Sequence, residues 1–191
     1  MYIVISGVHG SGKSTLALEV AKKIGGIYLT EAVDELVAPP QFGPKSKEKL
    51  ASQLWHARQV ILKEKRVVDD KEKYLCDRGW ADIYVYSREI LGGKERDLFF
   101  SIIDFLPKKL PDLHFIVHID PEALKKRIDG RKRDNLESWG EDDKEYALRI
   151  NEAFVNFAKD FQDLRPVYLV EVSGPIEENV KKVLDIIKKH I

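Results

Sequence analysis

Cysteine is almost missing from this chain: Cys76 is the one thiol in 191 residues, which excludes an intramolecular disulfide. Set in an apolar run, it reads as a small buried hydrophobe, and a reducing cytoplasm suits a chain so poor in thiols. An excess of either charge is missing too. Thirty-two Lys and Arg stand against thirty-two Asp and Glu, a formal net charge of zero. No global field therefore draws in nucleic acid or an anionic membrane, and any phosphate recognition has to be local. No apolar run approaches the roughly 18 residues that cross a bilayer, and no charged-then-apolar leader stands before the first apolar run. The expectation is an unprocessed cytoplasmic protein with no membrane partner. Met occurs only at position 1 and Gln only at 41, 53, 59 and 162, while 34% of residues are charged. That bias goes with growth at high temperature. The length suits one domain, residues 1–191, large enough for a full hydrophobic core.

What is present begins at the N-terminus. The apolar run Tyr2-Ile3-Val4-Ile5-Ser6 opens into Gly7-Val8-His9-Gly10-Ser11-Gly12-Lys13-Ser14-Thr15, and Leu16, Val20 and Ile24 follow at helical spacing. Strand, glycine-rich loop and helix in that order are the context of a phosphate-binding P-loop. Backbone N–H groups of such a loop turn inward around an anion, and the helix adds its partial positive end. Gly7, Gly10 and Gly12 permit the dihedrals this needs. His9, Ser11 and Thr15 complete the nucleotide-binding set, Lys13 meets the β/γ-phosphates, and the Ser14 hydroxyl ligates Mg²⁺. ATP and Mg²⁺ are the expected ligands.

Five segments are dense in β-branched and aromatic residues: Tyr2–Ser6, Ile27–Leu29, Tyr74–Asp77, Leu113–Ile119 and Val167–Val172. Helix-period sequence or Pro/Gly-rich loops separate them, which predicts an α/β fold with a five-stranded parallel sheet covered on both faces. Ligands in such sheets sit beyond the carboxyl ends of the strands, so the residues after each strand carry the candidate chemistry.

After the second strand come Thr30, Glu31 and a proline-rich stretch at 39–44, together a candidate substrate loop over about 30–46. A helix from Ser46 or Lys47 then carries an apolar stripe of Leu50, Leu54, Ala57 and Ile61. Arg58 borders that stripe and either snorkels to solvent, pairs with a carboxylate or contacts a ligand. Trp55 faces the site or a second copy, so a homodimer is left open. The third strand ends in Asp77-Arg78-Gly79, an acid and a base suited to Mg²⁺ or substrate phosphate and otherwise an ordinary salt-bridged strand end. The fourth ends at Asp120-Pro121, with Pro121 placed to start a helix over Glu122–Ile128. Arg127, Arg131, Lys132 and Arg133 follow and then a loop to Gly140, together a lid over about 127–142 that closes on a transferring phosphoryl group. A solvated basic face is the plainer alternative. From Glu141 to Leu164 a long helix carries Tyr146, Ile150, Phe154, Phe157 and Phe161 as core. The turn Ser173-Gly174-Pro175 precedes a terminal helix and lies beside the P-loop, where its backbone can line an adenine pocket.

With these residues in hand the chain resembles the P-loop nucleoside and nucleotide kinases, in particular the deoxynucleoside kinase and thymidylate kinase group, over nearly its whole length. Arg127-Ile128-Asp129-Gly130-Arg131-Lys132-Arg133 is similar to the Arg-x-x-x-Arg-x-Arg lid of deoxynucleoside kinases. Asp77-Arg78 resembles the group's acidic-Arg signature, and Glu31 the carboxylate that serves as general base toward a 5′-hydroxyl. Arg58 falls near the helix arginine that meets the nucleobase in thymidylate kinases. The resemblance implies an ATP- and Mg²⁺-dependent phosphotransferase with a small-molecule acceptor, a nucleoside or its monophosphate. In it Lys13, Arg127 and Arg131 stabilise the phosphoryl group, Glu31 acts as base, Asp77 and Ser14 serve the metal, and Arg58, Arg78 and Arg133 hold the acceptor. Val8-His9 and Thr30 stand where thymidylate kinases carry an acidic and a basic residue, and Gly79 where deoxynucleoside kinases carry a serine. Two rivals remain: a nucleotide-binding regulatory ATPase, and a 5′-polynucleotide kinase, which needs a basic channel that a chain of zero net charge does not advertise.

Overall fold

The computed structural model describes residues 1–33, 39–130, 140, 143–161, 163 and 166–190. Five strands form one parallel sheet: β1 (Tyr2–Gly7), β2 (Ile27–Leu29), β3 (Tyr74–Asp77), β4 (Leu113–His118) and β5 (Val167–Glu171), in the spatial order β2-β3-β1-β4-β5. Each strand ends within one residue of its sequence expectation. β1 is buried along its whole length, as an unbroken apolar run in the middle of a parallel sheet requires. Strand order reverses at β1, whose neighbours β3 and β4 are reached by crossovers to opposite sides. The loop after β1 therefore opens into the crevice where parallel sheets take their ligands.

The helices are α1 (Lys13–Ile24), α2 (Lys49–Glu64), α3 (Trp80–Ile90), α4 (Gly93–Phe105), α5 (Pro121–Asp129), α6 (Lys144–Phe161) and α7 (Ile176–Ile187). Among the described residues none is long and apolar enough to cross a membrane. Cys76 is fully buried in β3, as its setting implied. α5 starts as the sequence indicates, with Pro121 in its first turn and the Asp120 carboxylate accepting from the N–H groups of Glu122 and Ala123 at 3.0 Å each.

Three expectations are corrected. α2 starts at Lys49 and buries the expected stripe only in part: Ala57 lies on the inner face with Ser52, Gln53, Gln59, Val60, Lys63 and Glu64, while Leu50 and Leu54 pack partly buried against the core. Gln53, Gln59, Lys63 and Glu64 point inward there because each meets a partner on a neighbouring element, as Ser87 Oγ meets Gln53 Oε1 at 3.0 Å. α3 and α4 were not foreseen as separate helices. The sequence of α3, Trp-Ala-Asp-Ile-Tyr-Val-Tyr, is rich in strand-forming residues, and burial against β1 and α6 overrides that preference. In α6 the first three aromatic or aliphatic positions are core, but Phe161 is 38% exposed and stacks on Phe157 with ring centroids 4.6 Å apart. Residues 131–139 and 141–142, most of the expected lid, lie outside the described residues, as do 34–38 of the substrate loop and, at the end of the long helix, 162 and 164.

Candidate functional site

The loop after β1 has the shape of an anion cradle. Gly10 and Gly12 have φ of 85° and 86°, in the left-handed region that side chains avoid. Gly12 caps α1 without any side-chain hydrogen bond to the first turn, so the N–H groups there stay open to a ligand. Lys13 is 5% exposed. Burial and then Arg78 lower its pKa, against the opposing pull of Asp77, Glu31 and Asp82. Ser14 and Thr15 face outward at the start of α1.

Cavities lie on both sides of the cradle. One, of about 240 Å³, opens between the loop after β2, α2 and α3, and its wall includes Glu31, Phe42, Gln53, His56, Arg78 and Tyr86. At its head Arg78 Nε lies 2.6 Å from Glu31 Oε1 and its Nη1 3.4 Å from Asp82 Oδ1. Burial alone would raise the Glu31 carboxyl, but the positive charges of Arg78 and Lys13 outweigh it and hold it at about 2. Asp82 is shifted the other way: burial raises it despite Arg78 and Lys13. Burial also lowers His56 to about 4, so its ring is neutral at pH 7. Phe42 packs edge-on against both His56 and Tyr86, at 5.0 and 5.6 Å between centroids. The result is a flat-walled, aromatic chamber with an ionised carboxylate at one end.

The second cavity, about 230 Å³, lies on the other side of the P-loop and is lined by Ser11, Gly12, Thr15, Arg127, Gly174 and Asn179, among others. The turn after β5 thus borders the P-loop, as read from the sequence.

Several sequence assignments move. His9, assigned from the sequence to the nucleotide-binding set, has its side chain turned inward. It is 3% exposed, its backbone N–H donates to Tyr86 Oη at 2.9 Å, and its ring stacks on Tyr146 at 5.7 Å. It wedges the P-loop against α3 and α6 and lines the first cavity. Arg127 lies against the P-loop itself, beside Ser11 and Gly12. Its guanidinium donates to the carbonyls of Ser11 and Val172, drawn to acceptors that the loop and strand ends leave over, and so bridges the P-loop to β5 beside the second cavity. Arg58 is exposed and absent from the lining of the first cavity, because α2 turns its Gln53–Lys63 face inward. Trp55, left between site and partner copy, lines the cavity. Asp77 is buried, and Tyr28 Oη donates to its Oδ2 at 3.3 Å while Oδ1 has no hydrogen-bond partner among the described residues. Arg131 and Arg133 fall outside the described residues.

The residues missed are Asp82, Tyr86, Lys63, Gln53 and His56. Asp82 was reachable: it stands four residues after Arg78 at a strand-to-helix corner, where a carboxylate caps the helix, here by accepting from Gly79 N–H at 3.0 Å. Tyr86 is one helical turn further on. Nothing in the pattern of α2 marks its polar residues as inward.

Among known proteins, the AAA domain family model matches residues 2–178. A thymidylate kinase from Helicobacter hepaticus is 34% identical over 176 residues, 82% of this chain and 83% of that protein. A probable thymidylate kinase from Methanococcus aeolicus is 29% identical over 98% of this chain and 94% of its own length. Among solved structures, a deoxyadenosine kinase from M. mycoides with products dCMP and a flexible dCDP bound superposes with a TM-score of 0.82 over all of both chains, at 18% identity. A thymidylate kinase from Ehrlichia chaffeensis gives 0.62 over 98% of both, also at 18%.

Proposed function

Since the chain belongs to the AAA domain family of P-loop proteins, and within it to the nucleoside and nucleotide kinases related to thymidylate kinase, it is a phosphotransferase that uses ATP, and we propose that its acceptor is the hydroxyl of a nucleoside. The observation that carries this reading is the Glu31–Arg78 pair at 2.6 Å, an ionised carboxylate at the head of the aromatic cavity. A nucleoside brings a flat base for Phe42 and Tyr86 and a hydroxyl proton for Glu31. A monophosphate brings negative charge to a cavity whose described cations are already engaged, Arg78 by Glu31 and Asp82 and Lys63 by backbone carbonyls.

The P-loop amides and Lys13 hold the phosphates of ATP, with the base beside Arg127 and Gly174. Ser14 and Asp77 fit a hydrated Mg²⁺: one is an exposed hydroxyl at the first turn of α1, the other a buried carboxylate one hydrogen bond short. Bound there, the ion would neutralise charge on the phosphate oxygens. Arg78 orients the acceptor, and Glu31 takes the hydroxyl proton as the oxygen attacks the γ-phosphorus. The bond to the bridging β–γ oxygen breaks, and ADP leaves. A low-basicity carboxylate suffices because the transition state is loose and the proton moves late. Catalysis is then positioning and charge stabilisation, with no covalent intermediate.

A monophosphate acceptor is the second reading, favoured by the thymidylate kinase at 34% identity. The test is ADP release with ATP and Mg²⁺ against a panel of deoxynucleosides and their monophosphates, run on the wild type and Glu31→Gln. Stimulation by a deoxynucleoside, lost by about 100-fold or more in Glu31→Gln with the KM for ATP unchanged, is expected. Stimulation by a monophosphate alone would replace this reading with the second.

A further inference from the structure

The inner face of α2 holds a cation that the reaction just outlined does not use. Lys63 is 1% exposed, and its ammonium donates to the main-chain carbonyls of Asp77 and Arg78, the latter at 2.8 Å. β2 runs out opposite Cys76, so on that side the sheet offers these two carbonyls nothing, and the lysine takes the place of the missing strand. Burial lowers its pKa while Cys76, Asp77, Glu31 and Asp82 pull the other way. A buried ammonium is costly unless hydrogen-bonded, which singles out the two carbonyls as the reason for its position.

Those carbonyls flank an unusual residue. Arg78 has φ of 66°, the one non-glycine in the left-handed region among the described residues, where a long side chain is strained. In that conformation the chain turns off β3 and the guanidinium reaches Glu31 at 2.6 Å, with its Cζ 5.2 Å from the centre of the Tyr86 ring. One turn before Lys63 on the same face, Gln59 Oε1 accepts from Val33 N–H at 3.1 Å and so tethers the loop that carries Glu31. α2 therefore grips both halves of the Glu31–Arg78 pair.

We propose that Lys63 is a positioning residue for phosphoryl transfer, holding the left-handed turn at Arg78 so that the guanidinium is aimed at Glu31 and the acceptor. It acts through Arg78, and this rests on the acceptor site proposed above. The experiment is a double-mutant cycle of Lys63→Met and Arg78→Ala, reading kcat/KM for the best acceptor of the panel, KM for ATP and Tm. Lys63→Met alone is expected to lower acceptor kcat/KM by about 10-fold or more, with KM for ATP within about 2-fold, and to cost less than about 2-fold once Arg78 is already alanine. A purely structural lysine would lower Tm yet multiply with Arg78→Ala, and that result overturns the proposal. So does a folded Lys63→Met enzyme with wild-type acceptor kcat/KM. If Arg78→Ala itself costs nothing, the acceptor site falls and this proposal with it. Should Lys63→Met not fold, Lys63→Leu, which likewise removes the donors, enters the same cycle under the same criteria.

Discussion

Arg78 stands between two carboxylates, Glu31 at 2.6 Å and Asp82 at 3.4 Å, and that arrangement gives the site a specific response to pH. Glu31 is held at about 2 against its ordinary 4.5, its burial outweighed by Arg78 and then Lys13. A depressed carboxylate adds stability that is complete above its unfolded pKa and lost as pH falls toward its folded one, here the window from about 4.5 down to about 2. Over pH 5–8 the wild-type acceptor kcat/KM should therefore show no acid limb from Glu31. Arg78→Ala leaves the burial and removes the larger opposing charge, so the Glu31 pKa rises and an acid limb enters the measured range. A pH profile of Arg78→Ala as flat as that of the wild type would show that Glu31 does not carry the proton. Gly79 next door illustrates how packing chooses a residue: a Cβ there would lie 2.8 Å from Val4 Cγ1, so the serine found at this place in deoxynucleoside kinases has no room against β1.

Helices do two different jobs around the site, and their sequences show it. α5 is specified locally, by Asp120 at its N-cap and Pro121 in its first turn, and it delivers Arg127 to the P-loop. Asp120→Ala should lower stability by about 1 kcal/mol, read as a smaller urea midpoint at unchanged m-value, because two N–H groups lose their acceptor. α2 is specified by its surroundings. Its buried Gln53, Gln59, Lys63 and Glu64 bond to α3, to the loop after β2, to the β3 turn and to Trp80 Nε1, respectively. A periodicity count treats such residues as solvent-facing, which is why the inner face of α2 was only partly foreseen and Arg58 was brought too near the site. Lys63 and Gln59 become legible only once the ends of β2 and β3 are seen together.

For the molecule entire, strand order matters most. Putting β1 between β3 and β4 sets the P-loop at the reversal point and places a cavity on each side of it. Phosphoryl transfer needs that two-sidedness, since donor and acceptor must approach one phosphorus from opposite directions. The charged, Met- and Gln-poor composition also has a consequence at this level: the melting temperature should exceed about 65 °C, above the usual mesophile range, as calorimetry would show.

From the sequence alone came the P-loop, the five strands to within a residue at each end, the placing of Glu31 and Asp77-Arg78 at strand tips, and the family. These are local properties: apolar runs, glycine spacing and turn chemistry act over a few residues and leave their mark in order along the chain. The tertiary structure decided which side of the P-loop each side chain serves. It took His9 into the wall of the aromatic cavity, drew Arg127 onto the carbonyls of Ser11 and Val172, turned Arg58 outward and Lys63 inward. For His9, Arg127 and Lys63 the outcome depends on a hydrogen-bond partner on another element, and a buried polar group goes where its partner is, whatever the period of its own helix suggests.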